Sequence, residues 1–172
     1  MLPTPLYTAE QIRNRVKELA AALDQRFAED ATLHLIGVLK GSFVFLADLM
    51  RAMSRPATID FISVSSYGSG TGSSGTPQLL EAPSVCFRDR DVVVVEDIVD
   101  TGLTLQTVRL NLLAQQPRSL TTVALLAKPS RRQVDVPIEL VGFNVGDEFV
   151  IGYGLDVNEK YRELPYLAIA AP

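Results

Sequence analysis

The chain has 172 residues, 47% hydrophobic and 21% charged, with a formal net charge of −4. Such a length and balance suit one globular domain whose core needs no disulfide or structural metal. The acidic balance, with a sequence pI near 5.0, argues against a nucleic-acid binder that relies on a general basic surface, and no apolar run nears the roughly 18 residues needed to span a bilayer.

The single cysteine, Cys86, excludes an internal disulfide and points to a reducing compartment. Met1 to Thr8 has neither the basic patch nor the apolar core of a signal peptide, so the expected setting is the cytoplasm. From there the chain alternates helical and extended patterns. Thr8 followed by Gln11 is the spacing of a capping box, and Ile12, Val16, Leu19, Leu23 and Phe27 recur at helical intervals, which predicts an amphipathic helix over about 8–28. Leu33 to Leu39 is short and apolar, as a buried strand is, and stops at Lys40-Gly41-Ser42. Phe43 to Met53 predicts a helix packed on a sheet, and Thr58 to Ser65 a further strand.

Ser66 to Thr76 differs in kind. Gly68, Gly70, Gly72 and Gly75 lie among serines and threonines, a composition that is entropically costly to order and packs nothing. It predicts a mobile loop over about 66–78, with Pro77 near its end. Asp91 to Glu96 follows, with four consecutive valines; a β-branched run apolar on both faces suits a central parallel strand. Asp97 to Thr104 is expected to lead into a helix through Leu105, Val108, Leu112 and Leu113. Strands are expected at Leu120 to Leu126, Ile138 to Phe143, Phe149 to Tyr153 and Tyr166 to Ala170. Strands alternating with helices argue for an α/β sheet, read as one domain over 1–172.

Ligands in open α/β sheets bind beyond the carboxyl ends of the strands. Three strand ends carry polar residues there: Lys40-Gly41-Ser42, Glu96-Asp97 with Asp100-Thr101-Gly102-Leu103-Thr104, and Lys128-Pro129. The second says most. Two adjacent carboxylates after four valines would cost several kcal/mol if buried alone, so a cation, water or hydroxyl groups should meet them. The turn that follows opens a helix, where outward N–H groups and the helix dipole favour an anion. Carboxylates beside a phosphate cradle are what a ribose 5-phosphate needs. Asp97 and Asp100 as helix-capping residues, with Thr101-Gly102 a simple turn, is the plainer alternative, and it leaves Glu96 unexplained.

The run from Val93 to Thr104 closely resembles the phosphoribosyl pyrophosphate (PRPP) signature of the hypoxanthine-guanine phosphoribosyltransferases. Gly37 to Ser42 resembles that family's pyrophosphate loop, Ser66-Tyr67 the start of its mobile catalytic loop, and Asp147 to Asp156 with Tyr161-Arg162 its base-binding segment. These blocks run in the family's order over about residues 8–170 and are closest to bacterial members. The resemblance implies a type I phosphoribosyltransferase fold, with a mostly parallel sheet flanked by helices and a small hood formed by the terminal segments. It also implies salvage of a 6-oxopurine: PRPP and hypoxanthine, with guanine next, as small-molecule substrates, Mg²⁺ as cofactor, and a homodimer or homotetramer that binds no nucleic acid and no membrane.

Residue by residue, the resemblance gives the ribose hydroxyls to Glu96 and Asp97, directly or through Mg²⁺, and the 5′-phosphate to the backbone of Asp100, Thr101, Gly102, Leu103 and Thr104. Leu103 stands where mammalian members carry lysine, which leaves more of the phosphate to backbone donors. Asp100 is implied as general base toward N7 of the purine, since a carboxylate in a phosphate loop otherwise only repels the anion. Leu39, Lys40 and Gly41 are implied for pyrophosphate through backbone N–H groups, and Arg162 through a guanidinium suited to bidentate contact. Lys128 would donate to purine O6, Phe149 would stack on the ring, and Val150 would read the base edge through its backbone. Asp156 would lie near a second metal and the base, and Ser66 and Tyr67 would close a lid that excludes water. Structural readings stay open beside these: a core Phe149, a turn-forming Asp100 or Asp156, a surface ion pair for Arg162.

Other signals lead nowhere. Gly70 to Gly75 matches G-x-G-x-x-G, but Pro77 and Pro83 interrupt the helix a dinucleotide site requires. The phosphate-binding G-x-x-x-x-G-K-[ST] motif is absent, and the only histidine, His34, falls in an expected strand, where a satisfied structural residue is the plain reading. Two other functions were weighed. An RNA-binding regulator on the same fold would need a basic face, against which the charge of −4 speaks. A xanthine-guanine transferase would differ in the pocket around Lys128, Val150 and Asp156.

Overall fold

The computed structural model describes residues 3–65, 77–81 and 85–170. The expected lid, with Ser66 and Tyr67, lies outside the described residues. A six-stranded sheet is built from β2 (Leu33–Leu39), β3 (Ala57–Ser65), β4 (Gln78–Glu81), β5 (Asp91–Val99), β6 (Ser119–Ala127) and β7 (Leu140–Asn144), in the spatial order β4-β3-β2-β5-β6-β7. All neighbours are parallel except β4, which pairs antiparallel with β3. Strand β4 is not anticipated by the sequence, and it ends the expected loop at residue 77 rather than 78. The chain steps outward from β2 to β3 on one side and from β2 to β5 on the other. The crevice between β2 and β5 is therefore a topological switch point, where open α/β sheets bind ligands.

The four valines of β5 show why the strand had to be central. Val93 and Val95 pack with Leu33, Leu35, Val123 and Leu125 on one face, while Val92 and Val94 pack with Ile36, Val38 and Ala124 on the other. All four are fully buried. The first face is covered by α1 (Ala9–Gln25) and α2 (Phe43–Ala52), the second by α3 (Leu103–Leu113). Each such side chain contributes about 1.5–3 kcal/mol by leaving water.

Helix α1 starts as its sequence indicates. Gln11 N–H donates to the Thr8 hydroxyl at 3.2 Å, and Thr8 N–H donates to the Gln11 side chain at 2.8 Å. Its buried residues include Ile12, Val16, Leu19 and Leu23, four of the five expected, with Phe27 packed at the edge beyond the helix end. The helix is anchored at its middle and near its C-terminal end. Arg15 donates to the carbonyls of Val141 and Gly142 in β7, and Arg55 pairs with Asp24 at 2.9 Å with both side chains largely buried. Burial alone would raise the Asp24 carboxyl, but donors from Ser54 and Arg55 reverse this and hold it below its ordinary value.

A second, three-stranded antiparallel sheet joins β1 (Pro5–Tyr7), β9 (Leu167–Ile169) and β8 (Val150–Ile151), in that order. This is the hood made from terminal segments. Tyr7 stacks on Phe143 of β7 with ring centroids 4.1 Å apart, which fixes it to the main sheet. Only Val150–Ile151 of the strand expected over 149–153 is extended, because Gly152, Tyr153 and Gly154 all adopt positive φ (94°, 50° and 101°). The strand expected from Ile138 instead covers Leu140–Asn144. His34 is buried and satisfied: its ring meets Asp60 at 2.9 Å and the Thr58 hydroxyl at 2.6 Å.

Candidate active site

Strand β5 does not stop at Glu96. It runs through Asp97 and Ile98 to Val99, so the two carboxylates are part of the strand rather than the start of a loop. Pairing with β6 accounts for this, since Glu96, Ile98 and Val99 register with Ala124, Leu126 and Ala127. Glu96 is thereby buried, with 4% exposure. Burial, and secondly the charge of Asp97, push its carboxyl well above the ordinary value. Burial likewise pushes Asp97 up to about 6. The Ile98 N–H and the charge of Arg162 oppose the rise, and Asp156 adds to it. The pair thus sits desolvated at the switch point, ready to gain from a cation or from hydroxyl donors.

The turn after β2 lies directly against this pair. A Cβ placed on Gly41 would fall 1.6 Å from Oδ2 of Asp97. Only glycine lets the turn come this close. The Leu39–Lys40 peptide in the turn is cis, and the Ser42 hydroxyl donates to the Val38 carbonyl at 2.7 Å as α2 begins. A third segment packs on the same turn, because a Cβ on Gly154 would lie 2.2 Å from the Gly41 carbonyl oxygen.

Past β5, Gly102 caps α3 with φ 88°, and helix begins at Leu103. The turn 100–104 is braced from behind, since Gln133 N–H donates to the Thr101 carbonyl at 2.9 Å and the side chains of Arg132, Val134 and Val136 crowd the vacant Cβ position of Gly102. Asp100 is half-exposed and pairs with Arg131 Nε at 2.8 Å. A cavity of about 240 Å³ is bounded by Leu39, Lys40, Gly41, Glu96, Asp97, Asp100, Thr101, Gly102 and Thr104. A groove of about 960 Å³ lies elsewhere, between α1, α2 and residues 162–165. The smaller cavity holds the paired carboxylates and the helix start, and so it is the one with the chemistry.

Lys128 ends β6 one step beyond Val99, whose carbonyl accepts its N–H at 2.9 Å. Its side chain is buried, and its amine donates to the Glu148 carbonyl at 2.7 Å. Phe149 is 58% exposed, so it is not a core residue and has a ring face to offer. Val150 is buried in β8 with its side chain in the main core, which leaves only its main chain for recognition.

Arg162 donates to the Gly154 carbonyl at 2.8 Å and pairs with Asp156 at 2.9 Å and with Glu159 at 3.2 Å. Lys40 reaches the other oxygen of Glu159 at 3.1 Å. Hydrogen bonds from Lys40, then from Arg162, hold the Glu159 carboxyl below its ordinary value. Glu159 does not stand out in the sequence, and Arg131 does so only as half of the basic pair Arg131-Arg132, which reads as phosphate-facing or surface; the fold brings Arg131 to Asp100 instead. Among the described residues no group of three or more His, Cys, Asp or Glu side chains converges to hold a metal ion unaided. Glu96 and Asp97 could hold a hard cation only with oxygens from elsewhere.

Comparisons with known proteins agree with this geometry. Residues 5–158 match the model of the phosphoribosyl transferase domain. Over 158 residues the chain is 45% identical to the hypoxanthine phosphoribosyltransferase of Salmonella typhimurium, covering 91% of this chain and 89% of that one. It is 45% identical to the hypoxanthine-guanine phosphoribosyltransferase of Mycobacterium tuberculosis, covering 97% and 85%. A crystal structure of a hypoxanthine-guanine phosphoribosyltransferase from Bacillus anthracis superimposes with a TM-score of 0.93 at 45% identity, covering 99% of this chain and 100% of that one.

The raised Asp97 carboxyl has a stability consequence. A carboxyl whose folded value lies above its unfolded one contributes stability that is present below the unfolded value and is lost as pH rises through the folded value, here about 6. In EDTA and without ligand, Asp97→Asn should therefore stabilise the protein by about 1–3 kcal/mol at pH 7.5 and by less than half as much at pH 4.5. Urea midpoints would measure this, and a lower midpoint for the variant at pH 7.5 would contradict a desolvated anion at this position.

Proposed function

The chain belongs to the phosphoribosyl transferase family, and from that premise we propose that the cavity at the β2–β5 crevice joins a 6-oxopurine to the ribose of PRPP and releases pyrophosphate. The chain is a purine salvage transferase, as its 43–45% identical relatives are. Its bases are hypoxanthine and guanine, giving IMP and GMP. One observation supports the assignment of the site: Asp97, next to the buried Glu96, lies against the Gly41 turn, and both carboxylates line one cavity with the start of α3. On this reading, acceptors for sugar hydroxyls lie between two turns that take anions.

The 5′-phosphate sits on the backbone of residues 100–104, at the N-terminus of α3, where helix amides and dipole favour an anion without a lysine at position 103. Glu96 and Asp97 take the ribose 2′- and 3′-hydroxyls. Mg²⁺ fits the donors present, because it prefers carboxylate and hydroxyl oxygens and retains waters; when bound, it neutralises charge on the ribose and diphosphate oxygens. Asp156, within the electrostatic reach of Asp97, would face a second ion. The amides of Leu39, Lys40 and Gly41, with the Lys40 and Arg162 side chains, hold the diphosphate.

Phe149 stacks on the purine, Val150 reads its edge through the main chain, and Lys128 donates to O6. Lys128 turns to the base from the Glu148 carbonyl it now occupies. In the reaction the C1′–O bond to pyrophosphate breaks as the C1′–N9 bond forms, through a transition state with cationic character on the ribose. Asp100 accepts the proton from N7, and its charge favours the cationic sugar. Ser66 and Tyr67 close over the site and exclude the water that would trap the sugar cation. The working form we propose is a cytoplasmic homodimer or homotetramer. None of the helices described is long and apolar enough to cross a membrane.

The direct test is radiolabelled hypoxanthine, guanine, xanthine and adenine, each with PRPP and Mg²⁺, scored for nucleotide. Hypoxanthine and guanine should be converted, adenine should not, and EDTA should abolish turnover; full activity in EDTA would remove the metal from the reading. Asp100→Asn should lower kcat by roughly 10²-fold or more, and an unchanged kcat would take it out of proton transfer. Lys128→Ala should raise KM for the base more than KM for PRPP, and equal increases would contradict the contact with O6.

A further inference from the structure

The two cations of the diphosphate end are already occupied in this structure, and by the same group. Lys40 Nζ lies 3.1 Å from Oε1 of Glu159, and Arg162 Nη2 lies 3.2 Å from Oε2. Each carboxylate oxygen thus meets one cation, as two oxygens of a phosphate group would. Lys40 comes from the turn after β2, and Arg162 from the end of the loop that follows β8, far apart in sequence. Glu159 is held between them by its own backbone. Its N–H donates to Asp156 Oδ2 at 2.8 Å, and Asn158 and Glu159 both adopt the left-handed conformation, with φ 53° and 62°, which non-glycine residues visit only when the surroundings hold them there.

We infer that Glu159 is an internal stand-in for pyrophosphate: its carboxylate bridges Lys40 and Arg162 in the empty site and has to release them before they grip a diphosphate, so Glu159 sets the affinity for PRPP and pyrophosphate. The exposure of the partners fits a contact made to be broken. The Lys40 and Glu159 side chains are 68% and 65% exposed, and ion pairs so open to water are weak and easily exchanged. A diphosphate offers the same cations more negative charge and more oxygens than one carboxylate does, and it wins the exchange. Asp156 keeps its own contact with Arg162 at 2.9 Å, so the guanidinium stays aimed when Glu159 leaves. Glu159 acts through Lys40 and Arg162 and is a positioning residue, not a catalytic one.

This inference rests on the assignment of Lys40 and Arg162 to the diphosphate, and its test separates the two. Calorimetry on the full-length protein with Mg²⁺ would compare binding of pyrophosphate with binding of IMP, which lacks the diphosphate. Glu159→Gln should bind pyrophosphate roughly 3- to 10-fold more tightly, the effect of removing one solvent-exposed competitor for two cations. Its affinity for IMP should stay within about twofold by the same reasoning. In a Lys40→Met background the gain from Glu159→Gln should shrink, as coupled neighbours require. Pyrophosphate binding that is unchanged or weaker in Glu159→Gln would overturn the inference, and so would an equal gain for IMP, which would mark a general field effect. Wild-type protein that binds IMP but not pyrophosphate would overturn the diphosphate assignment itself.

Discussion

The desolvation of two adjacent carboxylates at the end of an otherwise apolar strand is the constraint on which this structure depends. Glu96 and Asp97 follow four fully buried valines, and β5 carries them into the crevice instead of releasing them to solvent. Burial raises both carboxyls above their ordinary values, so their ionised forms carry a free-energy cost that a positive charge or a donor would relieve. In isolation that arrangement is destabilising. It persists because the strand is fixed on both sides by β2 and β6 and packed on both faces, so the local cost is carried by a large common core. A site that costs stability when empty and regains it on binding is the kind of local inconsistency that marks function.

Close approach is the second requirement, and it is met by the absence of side chains. Gly41 touches Asp97, and Gly154 touches the carbonyl of Gly41, so three segments distant in sequence meet within a few atoms. Gly102 does similar work at the start of α3, where its positive φ turns the chain from strand to helix against a wall formed by Arg132, Val134 and Val136.

Around the carboxylate pair, the other charged groups of the site are partnered. Asp100 is paired with Arg131, Arg162 with Asp156 and Glu159, and Lys40 with Glu159, while the Lys128 amine rests on backbone carbonyls. Lys40, Asp100, Lys128 and Arg162 therefore each have an internal partner to exchange. Binding becomes a sequence of replacements in which few charges are ever left bare, which limits the desolvation penalty of assembling a highly anionic substrate among so many carboxylates.

Much of this was legible in the sequence. The helical spacing of Ile12 to Leu23, the capping box at Thr8 and Gln11, the strand Leu33 to Leu39 and the central position of the valine run all follow from periodicity and burial, which act locally and leave a local record. The polar residues that follow the apolar runs stood out too, because polar residues after an apolar run need a reason. Other features depended on partners that sequence does not name. Strand β5 continues through its carboxylates because β6 offers a ladder to pair with; β4 forms as an edge on β3; and the strand after Phe149 stops at Ile151 because the next three residues turn left-handed. The bridge from Lys40 through Glu159 to Arg162, and the pairing of Arg131 with Asp100, belong to the same class. The sequence determined which residues could carry phosphate and sugar chemistry, since residue type and local pattern suffice for that. Only the tertiary structure decided which charges face one another, because electrostatic energies fall off over a few ångströms and those distances exist only once the chain has closed.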